Sequence, residues 1–209
     1  MDAYEALLRH FRVGSKISGI VTAHDKIEYR RGLVWGHIEL ETHTGYRARL
    51  PYHFLVDDLS SFSPSIVPEI GAQVDAVVFN FVDDTLILSA KPSDLLPATI
   101  SRYQEYYRCI DSLTIGSTII GIVANARPFG LFVDIGVYFA GLIDIGHISF
   151  NGGVQLPPHC AEWPKVGDKI RCRISYFRFR NQQIGLGWLP ETDVQRQKGE
   201  VNEDPGTGN

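Results

Sequence analysis

Alternation of apolar and polar residues with a period of two runs through most of the chain, and it is densest between Arg127 and Ser149. There Leu131, Val133 and Ile135 share one side of an extended segment, while Phe132 and Asp134 share the other. A turn follows at Gly136, then a second apolar run, Gly141-Leu-Ile-Asp-Ile145. This pattern predicts an antiparallel strand pair. A phenylalanine on the solvent side of a strand needs something to cover it or stack on it. Phe129, just ahead of Gly130, offers a second ring on the same surface, and Gly130 is expected to let the strand bulge there.

The same kind of pattern occurs twice. Val13-Gly-Ser-Lys-Ile-Ser-Gly-Ile-Val21 and Ile115-Gly-Ser-Thr-Ile-Ile-Gly-Ile-Val123 lie 102 residues apart and agree at six of nine positions. In each copy a segment with apolar residues at helical spacing precedes this opening, over residues 2–11 and 97–112, with Pro97 suited to a first helical turn. Strands are predicted near 16–24, 33–42, 45–52, 73–81 and 85–90, and again near 118–126, 130–135, 139–145, 169–177 and 183–188. Pro-, Ser- and Gly-rich insertions, Ser60 to Pro68 and Asn151 to Pro158, divide the third strand from the fourth. The expected fold class is mainly β, with two five-stranded barrels in tandem, each preceded by a short α-helix. The expected boundaries are 1–93 for the first domain, 94–112 for a linker helix and 113–190 for the second domain. Residues 191–209, poor in apolar residues, are expected to be a disordered tail.

Charge separates the copies. The chain as a whole carries −4, so any affinity for nucleic acid must come from a local patch. Residues 1–98 hold 9 Lys and Arg against 13 Asp and Glu, whereas residues 99–190 hold 9 against 6. The excess gathers on the predicted fourth strand and hairpin of the second copy. With Ile170, Cys172, Ile174 and Tyr176 turned inward, Arg171 and Arg173 point outward, and Arg178 and Arg180 follow in the hairpin. Arg30-Arg31 and the Arg47/Arg49 pair sit among acids and are expected to be solvated.

The second copy resembles the S1 RNA-binding domain, the OB-fold repeat of ribosomal protein S1. The resemblance rests on Gly116 to Val123, Phe129-Gly-Leu-Phe-Val-Asp-Ile-Gly136, Gly141-Leu-Ile-Asp-Ile145, and Val166-Gly-Asp-Lys-Ile170 through Ile184-Gly-Leu-Gly187. It covers about residues 113–190, and the first copy is similar through its opening and its close. The resemblance implies two OB barrels, with bases stacked on Phe129 and Phe132. Asp144 stands where the family has a strand-three histidine, Arg178 where it has a hairpin aspartate, and Gln183 where it has an arginine. Asp144 is therefore expected to set an anion beside the stacking surface. The outward face of the first copy's second strand shows Trp35, His37, Glu39 and Glu41 instead of aromatic-glycine steps.

The leading expectation is a non-catalytic protein that holds single-stranded RNA on its second barrel. Phe129 and Phe132 would stack, Arg171, Arg173, Arg178 and Arg180 would meet phosphates, and Asp144 and Gln183 would border the site. The alternative is a protein-interaction module, an inhibitor or adaptor whose partner meets the acidic, Trp-bearing first domain. No catalytic motif is present, no cofactor is expected, and His147, His159, Cys160 and Cys172 fit no zinc spacing. The acidic start, the absence of a ~20-residue apolar run and three scattered cysteines lead to the expectation of a cytoplasmic protein with free thiols and no membrane partner.

Overall fold

The computed structural model describes residues 10–146 and 156–190. The expected first helix, except for its last residues, part of the second insertion, His147 and the tail lie outside them. The chain divides into two compact units, Met1–Tyr107 and Arg108–Asn209.

In the first unit five strands hydrogen-bond into a closed barrel: β1 (Lys16–His24), β4 (His37–Thr42), β5 (Arg47–Pro51), β7 (Thr85–Ser89) and β6 (Gln73–Val82). Two short strands, β2 (Glu28–Arg30) and β3 (Leu33–Trp35), form a hairpin between β1 and β4. The sequence pattern places β3 and β4 in one strand over 33–42 and predicts no strand at 28–30. Gly36 is the reason they separate. Its φ of +103° turns the chain, and its Cα sits so close to the Tyr52 ring and the Lys26 carbonyl that a Cβ would lie within 2.8 Å of both. Helix α1 (Pro97–Asp111) starts at its proline as expected. It presses Tyr103 against Gly14 and sets Tyr107 under the Arg12 guanidinium, 4.6 Å from the ring centre.

In the second unit β8 (Thr118–Arg127), β9 (Gly130–Asp134), β10 (Gly141–Asp144), β12 (Gln183–Leu189) and β11 (Lys169–Arg178) pair in a ring that returns to β8. All contacts are antiparallel except β10 with β12, a parallel seam of two residue pairs, Gly141 with Ile184 and Leu142 with Gly185. Val123, Leu131, Val133, Ile143, Cys172, Ile174 and Ile184 fill the interior, each buried. Burial pushes the Cys172 thiol up to about 12, so it stays protonated and acts as a small apolar side chain.

Both units break register at matching places. One bulge follows Val21 in β1 and Val123 in β8; another follows Val78 in β6 and Ile174 in β11. The bulge in β11 overturns one expectation. It inserts an extra residue, so the alternation reverses after Ile174. Ile174 and Phe177 lie opposite the buried Leu186 and Ile184, whereas Tyr176 lies opposite Gly185 and faces outward with Arg173 and Arg178.

Gly130 does not bulge; it pairs directly with Arg127 and Asp144. Its role is close approach. At φ +150° an added Cβ would stand 2.1 Å from the Ile143 carbonyl oxygen. Gly130→Ala is expected to cost about 2–4 kcal/mol through strain and a displaced β9–β10 ladder. Urea denaturation, read by tyrosine and tryptophan fluorescence, would measure the fall in midpoint.

Candidate nucleic-acid interface

The outward face of the second unit is laid out by cross-strand register. Residues directly opposite in paired strands point to the same side. Phe132 on β9 faces Leu142 on β10, Leu142 faces Gly185 on β12, and Gly185 faces Tyr176 on β11. One row therefore crosses four strands and carries a ring at each end. Leu142 is only 2% exposed although it lies on this outer row, so its outward neighbours cover it. Gly185 has no side chain because there is no room for one: a Cβ would come within 2.3–2.5 Å of the far end of the Tyr176 ring. That ring lies across the bare backbone of β12.

Phe129, half exposed, sits beside this row. Its ring centre is 6.0 Å from that of Phe132, with the planes at 85°, an edge-to-face pair. The two rings thus offer planes of different orientation on one surface.

Asp144 and Arg178 are brought together here, which changes their meaning. The Arg178 Nη2 donates to Asp144 Oδ2 at 2.7 Å, while the Gly146 backbone N–H donates to Asp144 Oδ1 at 2.8 Å. The expected lone anion beside the stacking surface is therefore a carboxylate already bound to a guanidinium. Both partners are largely covered, with side chains 26% and 16% exposed for Arg178 and Asp144. The Arg178 guanidinium carbon also stands 5.4 Å from the centre of the Tyr176 ring, within cation–π range. Burial raises the Tyr176 phenol above its usual range, opposed by Arg178 and reinforced by Asp144. Gln183 lies directly across from Arg178, half-buried.

The remaining arginines sit farther along. Arg173 is the next outward position on β11 and faces Thr118 and Gly187. Arg171, exposed, faces Ile120 and Leu189, and Arg180 is exposed at the hairpin. The structure brings Phe129, Phe132, Asp144, Arg178 and Gln183 to one face, with Arg173 adjoining. Arg171 stands beside the exposed Ile120 instead. Tyr176 is the residue that sequence reasoning missed. The matching bulge in the first unit marks the same reversal, but no residue type at position 175 announces it.

In the first unit the corresponding row, taken from the matching ladders, is Glu39, Arg49, Ile87 and Asn80. Pro51 and Val82 stand where the second unit has Asp144 and Arg178. Glu39 faces Arg49 and Glu41 faces Arg47, so opposite charges line up across the strands. His37 Nδ1 lies 2.6 Å from Asp25 Oδ2. Among the described residues no group of three or more His, Cys, Asp or Glu side chains is placed to hold a metal ion, and no helix is long and apolar enough to cross a membrane.

A five-stranded ring with this strand order defines an OB-type protein. No family model matches the chain. It is 24% identical over 188 residues to the small ribosomal subunit protein bS1 of Rickettsia typhi, a match covering 89% of this chain and 30% of that protein. It is 36% identical over 77 residues to the transcriptional accessory protein Tex of Neisseria gonorrhoeae, covering 37% of this chain and 10% of Tex. It is 49% identical over 41 residues to the human S1 RNA-binding domain-containing protein 1, covering 20% of this chain and 4% of that one. The chain spans less than a third of the length of each of these relatives. With the Phe129-Gly-Leu-Phe-Val-Asp strand in its place in the ring, these matches support an S1-type OB-fold protein.

Because Asp144 and Arg178 are joined while largely covered, each single replacement to alanine is expected to cost more stability than its exposed equivalents. A double-mutant cycle on Asp144→Ala and Arg178→Ala, measured by thermal or urea unfolding, should give a coupling of about 1–2 kcal/mol.

Proposed function

We propose that this chain is a nucleic-acid-binding protein of two S1-type OB barrels in tandem, and that it holds single-stranded RNA on the second without catalysing a reaction. In this reading the first domain spans 1–93, α1 belongs to a linker over 94–112, and the second domain spans 113–190. The observation that carries this reading is the pair of outward rings, Phe129 and Phe132, on the strand most characteristic of the family. Rings set edge to face cannot both receive neighbouring bases of a regular stack. They suit unpaired bases splayed from a flexible strand, which favours single-stranded over duplex RNA. Arg171, Arg173 and Arg180 supply positive charge for the backbone. The relatives named for RNA binding and for the ribosome point to the same partner class, and the reading is of a cytoplasmic protein.

A second reading attaches to the β2–β3 hairpin of the first unit. Leu33 and Trp35, 46% and 52% exposed, share one face of the hairpin, and Tyr29, 64% exposed, stands on the other, apolar surface of a kind typical of a protein contact. This hairpin, on a barrel whose face is charge-paired, suits a protein partner for the first domain.

Replacing Phe129 and Phe132 together by alanine should weaken binding of a short single-stranded RNA by at least tenfold, at about 1–3 kcal/mol per stacked base. The fold should stay intact, as judged by circular dichroism. Unchanged affinity in that variant would sink the stacking model. In a salt titration, log K against log salt should fall by about 0.7 for each phosphate contacted. No measurable RNA binding even at low salt would turn the assignment to the protein partner.

A further inference from the structure

We infer that Asp144 and Tyr176 are positioning residues that hold the Arg178 guanidinium as a third flat stacking surface beside Phe129 and Phe132, so that the site grips one further base. This rests on the RNA reading above and adds to it a role for Asp144 and Arg178, two of the residues that set this face apart from the family pattern.

Two contacts hold Arg178, and a third anchors one of its partners. Asp144 Oδ2 accepts from its Nη2 at 2.7 Å. The carboxylate is itself anchored, since its other oxygen accepts from the Gly146 N–H. The guanidinium carbon stands 5.4 Å from the Tyr176 ring centre, and that ring is laid on the backbone of Gly185, where any side chain would collide with it. A guanidinium anchored this way is planar and has lost its freedom in advance. A base stacking on it therefore meets a surface that needs no further ordering. With 26% of the side chain exposed, the group retains open area for such a contact but is no freely swinging cation. An arginine meant simply to meet phosphate gains nothing from a carboxylate at 2.7 Å, which cancels its charge where the backbone would pass. The pairing makes sense if the plane, more than the charge, is what Arg178 contributes. The first unit, which lacks outward rings on this row, has Pro51, Asn80 and Val82 at the three equivalent positions and so lacks the whole device.

This inference opposes simple electrostatics. Removing a carboxylate from an RNA-binding face should strengthen binding; here Asp144→Ala is expected to weaken it by about tenfold, the loss of one stacked base. Gly185→Ala, which pushes the Tyr176 ring aside without changing any charge, should do the same. Arg178→Lys, which keeps the charge and removes the plane, should also lose about tenfold, with the salt slope unchanged.

The experiment uses the full chain and a single-stranded oligouridine hexamer, with a set of hexamers in which one base at a time is removed and the backbone kept. The parent should show three base-sensitive positions, and Asp144→Ala, Gly185→Ala and Arg178→Lys only two, with thermal unfolding confirming that each variant is folded. A role confined to structure would lower stability but leave three sensitive positions. The inference is overturned if the parent shows only two, if folded Asp144→Ala binds as tightly as the parent or more tightly, or if Gly185→Ala keeps all three. Should Asp144→Ala fail to fold, Gly185→Ala and Arg178→Lys decide. The Phe129→Ala/Phe132→Ala variant tests the underlying reading separately. If that variant binds normally, RNA stacking on this face is wrong; if it alone loses binding, only the guanidinium surface is wrong.

Discussion

The second unit depends on how its ring of strands is closed. Four of its five strand contacts are antiparallel ladders of four or more residue pairs, but the seam between β10 and β12 is parallel and only two pairs long. Closure leaves no strand edge to water, and the shortest ladder is where it is weakest. The Asp144–Arg178 pair spans that seam, since β10 reaches past β12 to β11. The glycines at Gly141 and Gly185 let the seam close tightly: inside, Gly141 makes room for Leu186; outside, Gly185 makes room for Tyr176. The residues that shut the ring are therefore the ones that shape its outer face.

This coupling explains why the face is built from neighbouring strands and not from loops. A row that crosses β9, β10, β12 and β11 has its spacing set by backbone hydrogen bonds. Its rings are held by the same ladders that enclose Leu131, Val133 and Ile143. The bulge after Ile174 adds the last element. Without the extra residue, Tyr176 would point into the core, and Arg178, two residues on, would turn inward with it. Sites placed on regular strands gain precision at the expense of adaptability, and here one irregularity aims the side chains that matter.

The two-fold organisation could be read from the sequence, because Val13 to Val21 and Ile115 to Val123 repeat it outright. The inner and outer faces of β9 were equally legible, since Leu131 and Val133 alternate with Phe132 without interruption. Three features were not. Tyr176 was misplaced because Cys-Arg-Ile-Ser-Tyr-Phe-Arg continues an alternating pattern that the bulge silently shifts. Strand β3 was merged with β4, and β2 was missed, because Leu33 to Thr42 carries strand-forming residues on both sides of Gly36, and only the contact with Tyr52 shows why the chain turns there. The Asp144–Arg178 bond joins positions 34 apart, and each departure from the family, taken singly, looked like the loss of a contact. Together they are an exchange: an acid in place of a base on one strand, and a base in place of an acid on another.

That exchange bears on how the two units differ. If the ion pair were needed only to close the ring, the first unit, with a parallel seam of the same two-pair length, should need one as well. It closes with Ala48 against Leu86 and Arg49 against Ile87, and has Pro51 and Val82 where the pair would stand. The same architecture is thus complete without the bridge. What the first unit also lacks is the outward ring at the position of Phe132, occupied by Glu39 and matched across the strand by Arg49. Bridge and rings are present together in one unit and absent together from the other. A device that closure does not require, found only where the outward rings are, belongs with the rings.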